Sequence, residues 1–143
     1  MRPFDFAKAQ LLPPLPRRPR PVVFIGAGGI VRTAQLPAYL AAGIPVRGLF
    51  DLDRERSHET ALASGVGRVF DALAEAAAET GVVFDLAVPA DQIISVLRRL
   101  PDRVAVLIQK PMGRDLREAR RILALCRAKR LMAAVNFQLR FAP

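Results

Sequence analysis

Val22-Val23-Phe24-Ile25-Gly26-Ala27-Gly28-Gly29-Ile30-Val31 is the stretch that decides how this chain folds. An apolar run that ends in glycine suits a short strand buried on both faces, as strands are in parallel sheets. The apolar periodicity that follows predicts a helix over residues 30–42, interrupted by Pro37, which must kink it or mark a late start. At a strand-to-helix corner of this kind each glycine has a task. Gly26 permits the tight turn, and Gly28 lets the backbone approach a pyrophosphate with no side chain between. The helix opening at Gly29 and Ile30 then offers amide donors and partial positive charge. The third fingerprint position, usually Gly or Ala, holds Val31. The corner is thus a candidate dinucleotide-binding turn.

Working outward, strand and helix patterns alternate to the end of the chain. Strands are predicted over residues 46–50, 67–70, 82–88, 104–108 and 131–137, giving six with the first. Asp53, Asp71 and Asp91 are placed to cap the helices that end near Ser64, Thr80 and Leu100. Asp115 and Glu118 form a capping-box-like pair before a helix with an apolar stripe of Leu116, Ala119, Ile122, Leu123 and Cys126. Such alternation predicts an α/β fold with a doubly wound parallel sheet, a Rossmann fold in one domain. The domain is expected over residues 21–143. Residues 1–20, with Pro3, Pro13, Pro14, Pro16 and Pro19, read as a Pro/Arg-rich arm.

Two further clusters carry chemistry. Asp51 ends the second strand twenty positions beyond Val31, where a carboxylate receives the adenosine ribose hydroxyls of NAD. It would repel a 2′-phosphate, so NAD is favoured, while Arg54 and Arg56 leave NADP possible. The alternative for Asp51 is helix capping, for which Asp53 competes. Gln109-Lys110-Pro111 stands at the carboxyl end of the fifth predicted strand, the side on which open α/β sheets bind ligands. A lysine there can donate to a substrate hydroxyl and assist proton transfer, although a surface lysine is the plainer reading.

Composition narrows the remaining classes. The formal charge is +9, and a net +4 of it sits in residues 1–20. The other arginines are scattered through predicted helices, and with eight Phe and one Tyr a nucleic-acid surface is not expected. One cysteine and one histidine leave no ligand set for a metal. No apolar run reaches the ~20 residues of a membrane-spanning helix, and no signal-like segment opens the chain. A cytoplasmic protein is expected, with no membrane partner. His58 falls on a polar helix face, and Cys126 on an apolar one, so neither reads as a reactive group.

Several ordered segments together resemble the Gfo/Idh/MocA oxidoreductases, named for glucose–fructose oxidoreductase and inositol dehydrogenase. These are Gly-Ala-Gly-Gly-Ile at 26–30 with Leu36-Pro37-Ala38, Asp51-Leu52-Asp53, Phe84 to Asp91, Gln109-Lys110-Pro111 and Asn136 to Pro143. The resemblance implies hydride transfer between a nicotinamide cofactor and a sugar, polyol or related hydroxy compound. It implies Lys110 as the active-site lysine and Val88 and Pro89 as lining on the nicotinamide side. Departures are Gln109, where the family usually has Glu, and Val88 and Ile93, where it usually has Thr and His. The family's second, substrate-binding domain has no counterpart in these residues. That leaves a homo-oligomer or a missing second domain as the expected completion, with little turnover by this chain alone. The alternatives are a non-catalytic NAD-binding or regulatory module and a scaffold for protein association.

Overall fold

The computed structural model describes residues 15–137. The arm expected over residues 1–20 and the segment running to Pro143 therefore lie partly outside the described residues. Five strands form one sheet: β1 (Val22–Ile25), β2 (Val46–Phe50), β3 (Val83–Leu86), β4 (Ala105–Gln109) and β5 (Met132–Asn136). Their order is β2-β1-β3-β4-β5, and every pair is parallel. The chain therefore starts one strand in from an edge, steps outward to β2, returns past β1 to β3 and continues to β5. The expected doubly wound α/β sheet is present.

Alternation along β1 divides the core. Val22 and Phe24 face one side with Val31, Leu36, Leu49 and Ala61. Val23 and Ile25 face the other with Phe84, Leu86, Leu97, Ile108 and Ile122. The first side is covered by α1 (Leu36–Ala41) and α2 (Arg54–Ser64). The second is covered by α3 (Leu73–Ala77), α4 (Ile93–Arg99) and α5 (Leu116–Ala128). Coverage stops short of β5, where Met132, Ala133 and Ala134 are exposed.

The first helix solves its proline problem with a wider turn. Residues Val31–Gln35 are π-helical, and the Leu36 amide donates to the Val31 carbonyl. Regular α-helix resumes at Leu36, with Pro37 in its first turn, where a missing N–H costs nothing. Val31, the odd residue of the glycine fingerprint, is fully buried.

Five expectations need correction. Residues 67–70 are not a strand: they touch β2 through one parallel bridge, Leu49 to Val69. The Leu49 amide donates to Arg68 and the Phe70 amide to Leu49, and the ladder goes no further. Asp71 does not cap α3, whose cap position is Ala72; its carboxylate pairs with Arg54 instead. That helix also ends at Ala77, short of Thr80. Asp91 does not cap α4, because it lies within the 3₁₀ turn Ala90–Gln92, whereas a cap residue needs extended backbone. The buried stripe of α5 runs through Glu118, Ile122 and Cys126, and Leu116 and Leu123 are exposed. The other two caps are as read: Asp53 accepts from the Arg56 amide at 3.1 Å and Asp115 from the Glu118 amide at 2.7 Å.

The contact of residues 67–70 with β2 depends on Gly48. A Cβ there would lie 2.7 Å from the Phe70 ring and 2.9 Å from the Arg68 carbonyl. Gly48→Ala is expected to cost about 1–3 kcal/mol by overpacking. Gly67→Ala, where a Cβ meets nothing within 4 Å, should stay within about 0.5 kcal/mol. Urea unfolding of the two variants checks the pair.

Candidate functional site

Because β1 sits between β2 and β3, the carboxyl ends of all three open on one cleft of about 700 Å³. At its floor the chain leaves β1 through Gly26. This residue has φ +104°, and a Cβ on it would come 2.4 Å from the Ala87 carbonyl oxygen. Only glycine fits both demands. Beyond it the chain is open, since a Cβ at Gly28 or Gly29 would meet nothing within 4 Å. Backbone there is free for close approach: the Val31 and Arg32 amides donate to the Gly28 carbonyl, while the Gly28, Gly29 and Ile30 amides before them have no backbone acceptor.

Asp51 ties the second strand to this corner. Its Oδ2 accepts from the Ala27 amide at 2.7 Å, and its Oδ1 accepts from the Asp53 amide at 2.9 Å. Asp51 is thus not the cap of α2; Asp53 takes that role. The two neighbouring arginines part company. Arg54 turns to Asp71, while Arg56 lines the cleft between Asp51, at 3.4 Å, and Asp53, at 2.9 Å.

Of the residues singled out from sequence, Gly26, Gly28, Asp51, Val88 and Pro89 line the cleft. Gly29 and Ile30 are exposed at its rim on the same turn, and Lys110 is exposed at the end of β4, outside the lining. His58 is exposed and Cys126 is buried in the core, where burial pushes its thiol up. Sequence reasoning missed the far wall of the cleft, formed by Leu73, Ser95, Val96 and Arg99. Their signal is weak, because helix residues of this kind are common on any surface. Among the described residues no group of three or more His, Cys, Asp or Glu could hold a metal ion.

A second polar feature lies under the sheet end. Asp85, in the middle of β3, is fully buried. Its Oδ2 accepts from the Tyr39 hydroxyl and its Oδ1 from Gln109 Nε2, each at 2.7 Å. Asn136 Nδ2 in turn donates to Gln109 Oε1 at 3.0 Å. Burial pushes the Asp85 carboxyl above its ordinary value, and the Gln109 and Tyr39 hydrogen bonds oppose that shift. The Tyr39 hydroxyl is pushed up by burial and by the carboxylate beside it. A signal for this feature was available: a carboxylate inside the otherwise apolar run Val82 to Val88.

The turn that carries Lys110 onward is pinned from below. Gly113 has φ +85°, and a Cβ on it would collide with Glu118 at 2.8 Å. Glu118 accepts from the Arg114 amide at 2.8 Å and from its Nε at 2.9 Å, so it reaches back past the cap residue. Those bonds hold the Glu118 carboxyl down at about 2.

Residues 20–137 match the oxidoreductase family with an NAD-binding Rossmann fold, Gfo/Idh/MocA. The chain belongs to that family. Over 120 residues, 83% of the chain, it is 32% identical to YceM of Salmonella typhimurium, described as an oxidoreductase, and covers 39% of that protein. A structure of a point mutant of KijD10, a 3-ketoreductase from Actinomadura kijaniata, in complex with TDP-benzene and NADP, superposes with a TM-score of 0.68 at 25% identity. That match covers 85% of this chain and 38% of KijD10. The dehydrogenase MviM from Clostridium difficile shares the fold, with a TM-score of 0.72 at 18% identity over 88% of this chain and 42% of that one. The chain thus spans about two fifths of the length of these relatives. No helix among the described residues is long and apolar enough to cross a membrane.

Two measurements follow from this geometry. Gly26→Ala should lose about 2–4 kcal/mol, from the left-handed backbone and the clash with Ala87 together. The Glu118 carboxyl is held below its unfolded value. Its contribution to stability is therefore complete above about 4.5, the ordinary value, and is lost as pH falls toward about 2. Glu118→Gln should remove that acid-side slope, as urea unfolding between pH 6 and pH 2 would show.

Proposed function

We propose that the cleft holds NAD, with NADP as a weaker alternative, and that the chain serves hydride transfer to or from a sugar, polyol or related hydroxy compound. The observation that carries this reading is the Asp51 carboxylate bonded to the Ala27 amide at 2.7 Å. This bond holds beside the open glycine corner a carboxylate that would accept the adenosine ribose. The corner fits a pyrophosphate: there is open space over Gly28 and Gly29, and a helix N-terminus begins behind them. Gly26, Gly28, Gly29 and Ile30 would hold the phosphates, Asp51 the adenosine ribose, and Val88 and Pro89 the nicotinamide side.

When bound, a nicotinamide supplies the site for hydride gain or loss. The remaining work falls to this chain's own groups. Lys110, one strand away from Val88 and Pro89, would donate a hydrogen bond to the substrate hydroxyl and take part in moving its proton. Arg56 stands between two carboxylates, so the local charge stays negative, which favours a ribose hydroxyl over a 2′-phosphate. The same guanidinium is the group an NADP phosphate would recruit, as Arg54 is held away by Asp71. In the longer relatives much of the protein lies beyond the matched region. We place the substrate pocket and an acid–base partner for Lys110 in a second domain, or in an oligomer that supplies them. The domain division at residue 21 belongs to this proposal.

Calorimetry with NAD and NADP is the test. Saturable binding is expected, tighter for NAD. Asp51→Ala should weaken NAD by about tenfold or more, the usual cost of hydrogen bonds to a charged group. Absence of saturable heat with either cofactor, or NAD affinity unchanged in Asp51→Ala, would overturn the assignment.

A further inference from the structure

The chain Tyr39–Asp85–Gln109–Asn136, buried at Asp85 and Gln109 and half-buried at its ends, links four elements: α1, β3, β4 and β5. Its hydrogen bonds converge on Asp85 from both sides. Tyr39 and Gln109 donate into the Asp85 carboxylate, and Asn136 donates into Gln109. An amide has one donor end and one acceptor end, so the carboxylate decides how Gln109 lies. With Nε2 committed to Asp85, Oε1 must face Asn136. Reversing the amide would press Oε1 against a buried negative charge. Gln109 is the last residue of β4 and precedes Lys110. Tyr39 stands on the helix that follows the glycine corner and stacks on Phe24, with ring centroids 5.5 Å apart.

We propose that Asp85 is a positioning residue for the site: it sets the Gln109 amide and thereby the strand end that presents Lys110, and it ties that end through Tyr39 to the helix behind the glycine corner. The proposal rests on the reading of the cleft as a dinucleotide site with Lys110 as its lysine. A second statement follows from it. The Asp85–Gln109 pair must contain one carboxylate and one amide, in either order. Gln109→Glu alone sets two carboxylates against each other in a buried place. Asp85→Asn alone offers one oxygen to two donors: with it on Tyr39, an amide donor faces Gln109 Nε2 until Gln109 and Asn136 both flip, and with it on Gln109 the Tyr39 hydroxyl loses its acceptor. The double exchange, Asp85→Asn with Gln109→Glu, satisfies every link. Tyr39 donates to the new asparagine oxygen, its nitrogen donates to the new glutamate, and Asn136 donates to the same glutamate.

The experiment is a double-mutant cycle on the full chain with three readouts: urea unfolding, NAD affinity, and nuclear magnetic resonance. The resonance readout follows the side-chain amides of Gln109 and Asn136 and the ¹³C-methylated lysines, of which the chain has three. Each single variant is expected to weaken NAD by about tenfold, as for a buried group left unpaired. The double exchange should return to within about threefold of wild type, with the singles strongly non-additive. In Asp85→Asn the Asn136 amide and the Lys110 methyl signal should both move, while the Lys129 signal stays. Additive effects across the cycle, or a stationary Lys110 signal in Asp85→Asn, would overturn the positioning role. If wild type binds no NAD, the cofactor reading fails, and the unfolding cycle with the amide and lysine signals still decides the role of Asp85.

Discussion

Between Gly26 and the Ala87 carbonyl there is no room for a methyl group. That constraint fixes the place where the ends of β1 and β3 meet. A side chain at this point would push the two strands apart and lift the turn off the floor of the cleft. Because the corner is bare, the next residues can swing into a helix, with open space over Gly28 and Gly29 at its start. The residues proposed to bind the cofactor gather around that corner, Asp51 after β2 and Val88 and Pro89 after β3, with Lys110 farther off after β4.

Two carboxylates hold the arrangement, and they work under opposite conditions. Asp51 lies at the cleft wall, bonded to backbone amides and faced by Arg56, and remains close enough to solvent to meet a ligand. Asp85 is sealed within the sheet, with two neutral donors sharing its charge. A buried carboxylate met by neutral groups alone is costly to keep ionised. Its retention in an apolar strand argues for a task that an apolar residue could not perform. The amide at position 109, unexpected beside the Glu-Lys-Pro pattern, has a structural reason: a second carboxylate would face Asp85 directly.

Much of the fold was legible because it is written in local terms. The bounds of β1 and β2 follow from apolar runs closed by glycine and aspartate, and the caps at Asp53 and Asp115 follow from carboxylates three residues before the helical amides they meet. Membership in the Gfo/Idh/MocA family was legible too, from several short segments in a fixed order. What the sequence hid depends on partners far along the chain. Residues 67–70 carry a strand-like pattern, yet make one bridge, and they press against Gly48 rather than extending a ladder. Asp71 resembles a cap but answers to Arg54. Asp91 resembles one too, but the turn after Pro89 is already helical when it arrives. The π turn at Val31–Gln35 could be suspected from Pro37 but not located. The Asp85 network joins residues separated by as many as 46 positions, which no local pattern reports.

A titration of the ¹⁵N-labelled chain with NAD, followed amide by amide, asks whether the backbone at the glycine corner grips a dinucleotide. Saturable shifts are expected at Ala27, Gly28, Gly29 and Ile30, accompanied by Asp53 as the Asp51 carboxylate takes a new partner. Shifts confined to the arginine-rich face of α5, with the glycine corner unmoved at saturation, would contradict that grip.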